Sequence, residues 1–246
     1  MKKIILSVAV VTTLVTTLIA ATNVVNVNVV GYNKQDISGS SFSLIAPAFD
    51  PVGGGSWTLA ELFSTNKLQA SNLQGSADKV YLWDTANAKW DQYFQKLNGN
   101  FYNVLSTSTP TNPVVDVGEG FFVQSVVSTQ RVMTMLGEVV PVATQSVDIV
   151  VGFQALGYPF SSDVMLGDMA FTNSGTKSNL QGGADKVYIY ENGQYVQVFM
   201  KLNNLWYRTD NTSVPTNVTI KIGQGFWYQA KNPYTNEEPS PYVDNL

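Results

Sequence analysis

The side chains that most often perform catalysis are scarce in this sequence. It contains no histidine and no cysteine, so it lacks the usual general base at neutral pH, a thiol nucleophile and the commonest zinc ligands. Hydrolysis by two carboxylates needs neither residue type. The acids in repeated positions are Asp78 and Asp185, whereas Glu119 is matched by Gln224. Nothing in their spacing indicates a catalytic pair, so the sequence predicts no enzyme activity, no catalytic residue and no cofactor.

Two kinds of loop could bind ions. The loop at residues 73–78 could ligate calcium through Asp78 and main-chain carbonyls, as its copy could through Asp185, but calcium usually takes several carboxylates. The alternative, which we favour, is that glycine permits the turn and the aspartate accepts hydrogen bonds from nearby N–H groups. The triplets at residues 118–120 and 223–225 lack the third glycine and the following helix of a phosphate loop. They predict a bulge or a close backbone approach, and no metal site is predicted.

Aromatic side chains at alternate strand positions suggest a third chemistry, stacking against sugar rings. In residues 79–83, alternation puts Tyr81 and Trp83 on one face and the aliphatic residues on the other. A ring beside a glutamine or lysine offers a sugar both an apolar surface and hydrogen-bond donors. Alternatively, the rings pack the two halves of the protein together or fill the second side of a sandwich. The candidate glycan-stacking or interface aromatics are Tyr81, Trp83, Phe122, Tyr188, Tyr190 and Trp227.

These residues belong to a chain that repeats itself. Residues 71–81 reappear as residues 178–188, and only Ser76 against Gly183 differs between the two copies. Further matches downstream are offset by two residues less, so one short insertion relates the copies. A period this long indicates a duplicated module, because a solenoid turn has only about 20–50 residues.

Strand-like alternation dominates both copies and predicts an all-β fold. Asn98 and Gly99 lie between two aromatic runs and predict a hairpin turn in which both residues have positive φ. Thr58 and Glu61 have the spacing of a capping box, which predicts a short helix. The expected architecture is two tandem homologous β-sandwich or partly open β-barrel modules, each with at most one short helix.

The N-terminus has the pattern of a secretory signal peptide. Lys2 and Lys3 precede an apolar run over residues 4–19, and Ala20 and Ala21 follow it. A membrane anchor is the alternative, but the run is short and interrupted by threonines. Cleavage predicts a secreted protein that is extracellular, at the cell surface or in the periplasm. The predicted division is a signal peptide at residues 1–21, β module 1 at 22–145, β module 2 at 146–231 and a Pro-rich C-terminal tail without a regular element at 232–246.

Three strings of the first module also match a known pattern. They lie at residues 42–47, 80–84 and 118–123. They resemble the LIANPL…VYxWDG…GEGFFV pattern of a small β module in exported proteins of Planctomycetes–Verrucomicrobia-type bacteria. The resemblance covers most of residues 29–140 and, more loosely, residues 151–230, where residues 155–160 depart from the first string. It implies an exported β protein and says little about function, because such proteins are largely uncharacterised.

The segment that follows the predicted cleavage site could serve assembly. Val25, Val27 and Val29 share one face of a predicted strand. This candidate assembly strand could complete the sheet of a neighbouring copy, or it could pair within its own module.

Charge and composition narrow the partners. The net charge is −4 and there is no basic cluster, so we expect neither nucleic acid nor a membrane surface as a partner after cleavage. The predicted function is that of an exported non-catalytic structural or self-associating protein of the cell surface or extracellular space, with itself as partner. The alternative is a pair of carbohydrate-binding modules that use exposed aromatic platforms, with extracellular polysaccharide as partner.

Overall fold

The computed structural model describes residues 30–65, 68–191 and 194–242 of the chain. Within these ranges the fold is almost entirely β structure, arranged as two similar modules with one four-residue α-helix each. No helix in the same ranges is long and apolar enough to cross a membrane. The predicted signal peptide and the predicted assembly strand with Val25, Val27 and Val29 lie outside the described residues.

The two modules contain matching sets of elements. Module one has helix α1 at Leu59–Leu62, a 3₁₀ turn at Gln74–Ser76 and the strands β1 Val30–Ile37, β2 Phe42–Ile45, β3 Trp57–Thr58, β4 Lys79–Asp84, β5 Lys89–Gln95, β6 Phe101–Asn103, β7 Ser106–Thr111, β8 Val114–Val115, β9 Phe121–Gln124 and β10 Arg131–Glu138. Module two has helix α2 at Phe171–Ser174, a 3₁₀ turn at Leu166–Asp168 and the strands β11 Thr144–Ile149, β12 Gly152–Gly157, β13 Val164–Met165, β14 Lys186–Glu191, β15 Gln194–Met200, β16 Trp206–Arg208, β17 Pro215–Thr216, β18 Thr219–Ile220, β19 Gly225–Ala230 and β20 Tyr234–Pro239.

Both modules have the same sheet order. In module one, a six-stranded antiparallel sheet of order β2-β9-β4-β5-β6-β7 accompanies the two-stranded pairs β1-β10 and β3-β8. Module two repeats this as β12-β19-β14-β15-β16-β17 with the pairs β11-β20 and β13-β18. The duplication therefore reproduces a complete topological unit, and the predicted all-β class with two tandem modules is confirmed.

Alternation along the central strands determines which side chains enter each core. In β4, Val80 and Leu82 are buried, whereas Tyr81 and Trp83 lie on the opposite face and keep part of their surface exposed. The β1-β10 pair and helix α1 cover the inner face of the large sheet and complete the core of module one. Each large aliphatic side chain buried in this way stabilises the fold by about 1.5–3 kcal/mol.

Helix α1 begins at the capping box that the sequence predicts. Thr58 Oγ1 accepts a hydrogen bond from Glu61 N at 3.3 Å, and Glu61 Oε2 accepts one from Thr58 N at 2.9 Å. These bonds satisfy two N–H groups that have no partner within the helix. The Thr58 hydroxyl, which donates to Glu61 Oε2 at 2.6 Å, and the Thr58 N–H together hold the pKa of Glu61 below its ordinary value, because they favour the ionised carboxylate.

The predicted C-terminal tail without a regular element is wrong. Tyr234–Pro239 form β20, which pairs with β11 over Thr144–Ile149. Strand β20 is the counterpart of β10, so module two is incomplete without it. The predicted boundary at residue 146 also falls inside β11. Prolines at positions 233 and 239 flank the strand and do not interrupt its interior, and proline is tolerated at strand ends.

The β5–β6 hairpin forms where it is predicted, but with a different turn. Only Gly99 has a positive φ, +85°, and its N–H donates to Lys96 O at 2.9 Å. Lys96 N donates to Asn100 O at 3.0 Å, so a type I turn is followed by one left-handed residue. In module two Asn204 takes the left-handed position with a φ of 63°. The prediction that Asn98 also has a positive φ is therefore wrong.

Candidate functional site

The two modules meet through equivalent residues, which an approximate two-fold axis relates. Ile45 of β2 forms a β-bridge with Gln224 of module two. Leu156, the counterpart of Ile45 in β12, forms the matching bridge with Glu119 of module one. Each module thus presents the edge of its large sheet to the turn that precedes β9 or β19 of the other.

The axis passes between Ala46 and its counterpart Gly157. A Cβ atom added to Gly157 would lie 2.2 Å from the Cβ of Ala46, so only glycine fits there. Main-chain hydrogen bonds flank this point, from Ala46 N to Gly223 O at 3.0 Å and from Gly157 N to Gly118 O at 2.8 Å. The repeated Gly-x-Gly triplets therefore make the close backbone approach that the sequence predicts.

The outer faces of the two large sheets join across this contact into one surface, the aromatic face. Trp83 and Trp227, from different modules, pack edge to face with ring centroids 5.3 Å apart. Phe122 and Trp227 also meet across the contact, at 6.2 Å. Trp83 Nε1 donates to the main-chain oxygen of Phe153 at 2.8 Å and fixes the indole between the modules. The prediction of a separate platform on each module is thus corrected to one composite surface.

A depression of about 570 Å³ lies in the aromatic face, and every residue that lines it is aromatic. The lining residues are Trp83, Trp90, Phe122, Phe153, Tyr188, Tyr195 and Trp227. Of the six predicted aromatics, Trp83, Phe122, Tyr188 and Trp227 are in this set. The other two lie on the same face beside it, with Tyr81 against Trp90 at 6.4 Å and Tyr190 against Tyr195 at 5.2 Å.

Sequence reasoning missed three rings of the depression. Trp90 and Tyr195 are the cross-strand partners of the predicted Trp83 and Tyr190, so the hairpin register could have identified them. Phe153 lies on an edge strand of module two, and its place beside Trp227 depends on the strand order. The rings differ in their surroundings, because Trp83 packs between the modules whereas Tyr190 and Tyr195 remain 49% and 48% exposed.

Glutamine side chains are oriented by tyrosine hydroxyls on the aromatic face. Tyr81 OH donates to Gln124 Oε1 at 2.6 Å, and Tyr188 OH donates to Gln229 Oε1 at 3.0 Å. Gln197 Nε2 donates in turn to Tyr188 OH at 3.2 Å. Partial burial raises the pKa of both tyrosines, so the phenols remain protonated donors. The same polar arrangement therefore occurs once in each module.

Asp78 accepts main-chain hydrogen bonds, as the favoured interpretation of its loop predicts, whereas Gly75 does not have the positive φ that would require a glycine. The Asp78 side chain is fully buried, and it accepts hydrogen bonds from Gln69 N at 2.6 Å and Val126 N at 2.9 Å. Arg131 forms an ion pair with the same carboxylate. Among the described residues, no group of three acidic side chains is placed to hold a metal ion.

Asp185 occupies the same position in module two but has different partners. It accepts hydrogen bonds from Thr176 N at 2.8 Å, Lys231 N at 2.7 Å and Tyr228 OH at 2.7 Å. Tyr228 OH is also hydrogen-bonded to Tyr234 OH at 2.7 Å. Burial raises the pKa of both tyrosines well above the ordinary value, so neutral phenols replace the arginine of module one.

Comparison of the chain with protein-family models, curated proteins and solved structures found no significant match. The function is therefore inferred from the aromatic face and the polar groups around it.

Proposed function

We propose that this chain is an exported, non-catalytic protein that holds extracellular polysaccharide on its aromatic face. The observation that carries the proposal is the depression of about 570 Å³ with a fully aromatic lining contributed by both modules. Its volume lies within the range of roughly 300–1,000 Å³ that is usual for small-molecule sites. Rings of this kind offer the apolar faces of a sugar chain an extended surface for stacking.

The rings are fixed before any ligand binds. Trp227 packs against Trp83, Trp90 and Phe153 with centroid distances of 5.3, 5.1 and 5.9 Å. Edge-to-face pairs of this kind contribute about 0.5–1.5 kcal/mol each beyond their buried area. A preorganised surface loses little conformational entropy on binding, so more of the contact energy becomes affinity.

The oriented glutamines supply the polar part of such a site. Because Oε1 of Gln124 and Gln229 accepts a tyrosine hydroxyl, each amide presents its Nε2 donor end away from that tyrosine. Sites that bind neutral ligands combine an apolar lining with a few polar groups in fixed orientation. Sugar hydroxyls can accept hydrogen bonds, so these amides are suitable donors to a sugar ring that lies on the adjacent tyrosines.

Retention on insoluble cellulose, chitin and xylan tests the proposal. Tyr195→Ala and Phe153→Ala remove exposed rings of the depression, and each should weaken retention by at least about tenfold, as expected for an aromatic contact worth about 1.4 kcal/mol. Tyr32→Ala is the matched control, since Tyr32 is exposed on β1, which is not part of either large sheet. Retention on none of these polymers would overturn the proposal, as would loss with Tyr32→Ala alone.

Self-association is a second candidate, which a different surface favours. The apolar patch consists of Val30, Tyr32 and Leu136, which are exposed at one end of the outer face of the β1-β10 pair, whereas Lys34, Asp36, Thr134 and Val132 lie towards its other end. At the position of Tyr32, module two exposes Thr144. An exposed apolar patch on one module alone is typical of an association site. Light scattering on the mature protein tests this, with Tyr32→Ser and Leu136→Ser expected to dissociate oligomers; a monomer at every concentration would refute it.

A further inference from the structure

A cavity of about 490 Å³ lies between the modules. Module one contributes Asp50, Asp116 and Glu119 to its wall, and module two contributes Asn236 and Glu238. The volume suits a small organic molecule. Trp83 lines both this cavity and the depression of the aromatic face, and the two share no other lining residue.

The approximate two-fold symmetry fails at this cavity. On the other side of the axis, Asn33 Nδ2 donates to Ile222 O at 3.1 Å, and a Cβ atom on Gly223 would meet the Asn33 side chain at 2.0 Å. Met135 also reaches that place, 3.1 Å from the same Cβ position. The site equivalent to the cavity is therefore filled by side chains of module one.

Strand β20, which lines the cavity, has polar residues at inward positions where its counterpart β10 has apolar ones. The inward positions of β10 hold Met133 and Met135, both buried in the core of module one. The register of the two strand pairs places Asn236 and Glu238 of β20 at the same positions, with only 4% and 3% of their surface exposed. Glu238 Oε2 accepts a hydrogen bond from Ala170 N at 2.8 Å, but a buried carboxylate also costs free energy unless a cation offsets its charge, and no lysine or arginine is among the described residues that line the cavity.

Asn236 is an incompletely paired group on the cavity wall. Its Oδ1 atom is buried and accepts no hydrogen bond from any described residue. An unpaired buried acceptor costs about 1–3 kcal/mol. The cavity therefore contains an acceptor that a ligand with a hydrogen-bond donor would satisfy.

The ionisable side chains that line the cavity are all acidic. They are Asp50, Asp116, Glu119 and Glu238, and none of the described residues that line it is a lysine or arginine. Burial raises the pKa of Glu119 and of Glu238, which expresses the cost of holding these charges without a cation. A cationic ligand that donates hydrogen bonds would complement these groups.

We propose that this cavity binds a small organic molecule through a protonated primary amine, with Glu119, Glu238 and Asn236 Oδ1 as acceptors. An ammonium group carries three donors and no acceptor, which matches a wall of acceptors. Its charge offsets the buried carboxylates, and Trp83, which also lines the cavity, adds a ring that attracts cations. Amino sugars and alkyl amines share this chemistry.

Calorimetric titration of the mature protein with three probes tests the proposal. Glucosamine should bind, and N-acetylglucosamine, which lacks the charge, should bind at least about tenfold more weakly. n-Butylamine distinguishes the source of the amine: equal binding assigns the site to alkyl amines, and weaker binding than glucosamine assigns it to amino sugars. Failure of both amines to bind, or equal binding of the acetylated sugar, overturns the proposal.

One variant tests whether this cavity binds the amine, a second serves as its control, and the equivalent turn of module two shows which substitution the first can use. Glu119 Oε2 accepts Asp116 N at 3.1 Å, and Gln224 Oε1 accepts Lys221 N at 3.0 Å in the equivalent turn. Glu119→Gln thus keeps the turn and removes the charge, and should weaken amine binding by at least about tenfold. Glu237→Gln is the matched control, because Glu237 is exposed on the opposite face of β20. Binding unchanged in Glu119→Gln, or weakened equally in Glu237→Gln, contradicts the assignment.

Discussion

The buried carboxylate of Asp78 depends on Arg131 for its counter-charge, and removing the arginine measures that dependence. Arg131→Met should lower the free energy of unfolding by about 3 kcal/mol. The Asp78 side chain has no exposure while that of Arg131 is 25% exposed, so the loss lies at the lower end of the roughly 3–5 kcal/mol expected when one partner of a buried pair is removed. Within the described residues, the carboxylate then retains the hydrogen bonds from Gln69 N and Val126 N.

Module two provides the matched comparison. Tyr234 occupies the position of Arg131 in the strand register, and its hydroxyl is bonded to Tyr228 OH, which in turn donates to Asp185. Tyr234→Phe removes one neutral hydrogen bond and should cost about 1 kcal/mol. Both residues occupy the same strand position, so the amount by which the loss of stability in Arg131→Met exceeds that in Tyr234→Phe measures the contribution of the charge.

A double variant tests whether the unpaired charge of Asp78 causes the loss of stability in Arg131→Met. Asp78→Asn combined with Arg131→Met should be more stable than Arg131→Met alone, because asparagine removes the buried charge that the single variant leaves unpaired. Urea unfolding followed by tryptophan fluorescence measures these differences, provided that the m-value is unchanged. The reasoning is refuted if Arg131→Met costs less than about 1 kcal/mol, or if Asp78→Asn adds a further loss.

Three further predictions concern the contact between the modules and the cavity beside it. Gly157→Val should destabilise the protein by about 1–3 kcal/mol, because even its Cβ would lie 2.2 Å from that of Ala46; an unchanged melting temperature would contradict this. Asn236→Met, which introduces the residue found at the equivalent position of β10, should raise the urea midpoint, since an apolar side chain replaces a buried unpaired acceptor; a lower midpoint would show that the polar side chain stabilises the fold. Burial raises the pKa of Glu238, so the folded state becomes less stable as this carboxyl group ionises. As the pH rises from about 4.5 to about 7, the free energy of unfolding should therefore fall more in the wild type than in Glu238→Gln. Equal decreases in the two proteins, measured by urea unfolding, would contradict this.

The fold was predictable to the extent that local pattern determines it. The repeat, the alternation in β4 and the Thr58 capping box depend on residues close in sequence, and the structure contains all of them. The Asn98-Gly99 turn was predicted in position but not in type, because two-residue and three-residue hairpin loops use the same glycine. Local pattern thus gives the elements more securely than their exact backbone geometry.

The composite site was not predictable from the same patterns. The contact between Trp83 and Trp227 depends on how the edge strands β2 and β12 meet the turns of the opposite module. No periodicity within one module carries that information. Strand β20 was missed for a related reason, since Asn236 and Glu238 occupy the inward positions where a strand is normally recognised by its apolar residues.

Some differences between the two copies lie where the two-fold symmetry between the modules is broken. Arg131 and Tyr234 satisfy equivalent buried aspartates by different means, and either solution is sufficient for a core. Glu119 against Gln224 and Met135 against Glu238 are different in kind, because both exchanges place an added carboxyl group on the wall of one cavity. A duplication that had diverged only under the demands of packing would not collect its buried acids on one side of the axis. The cavity therefore combines acidic groups of both modules in an arrangement that neither module contains alone.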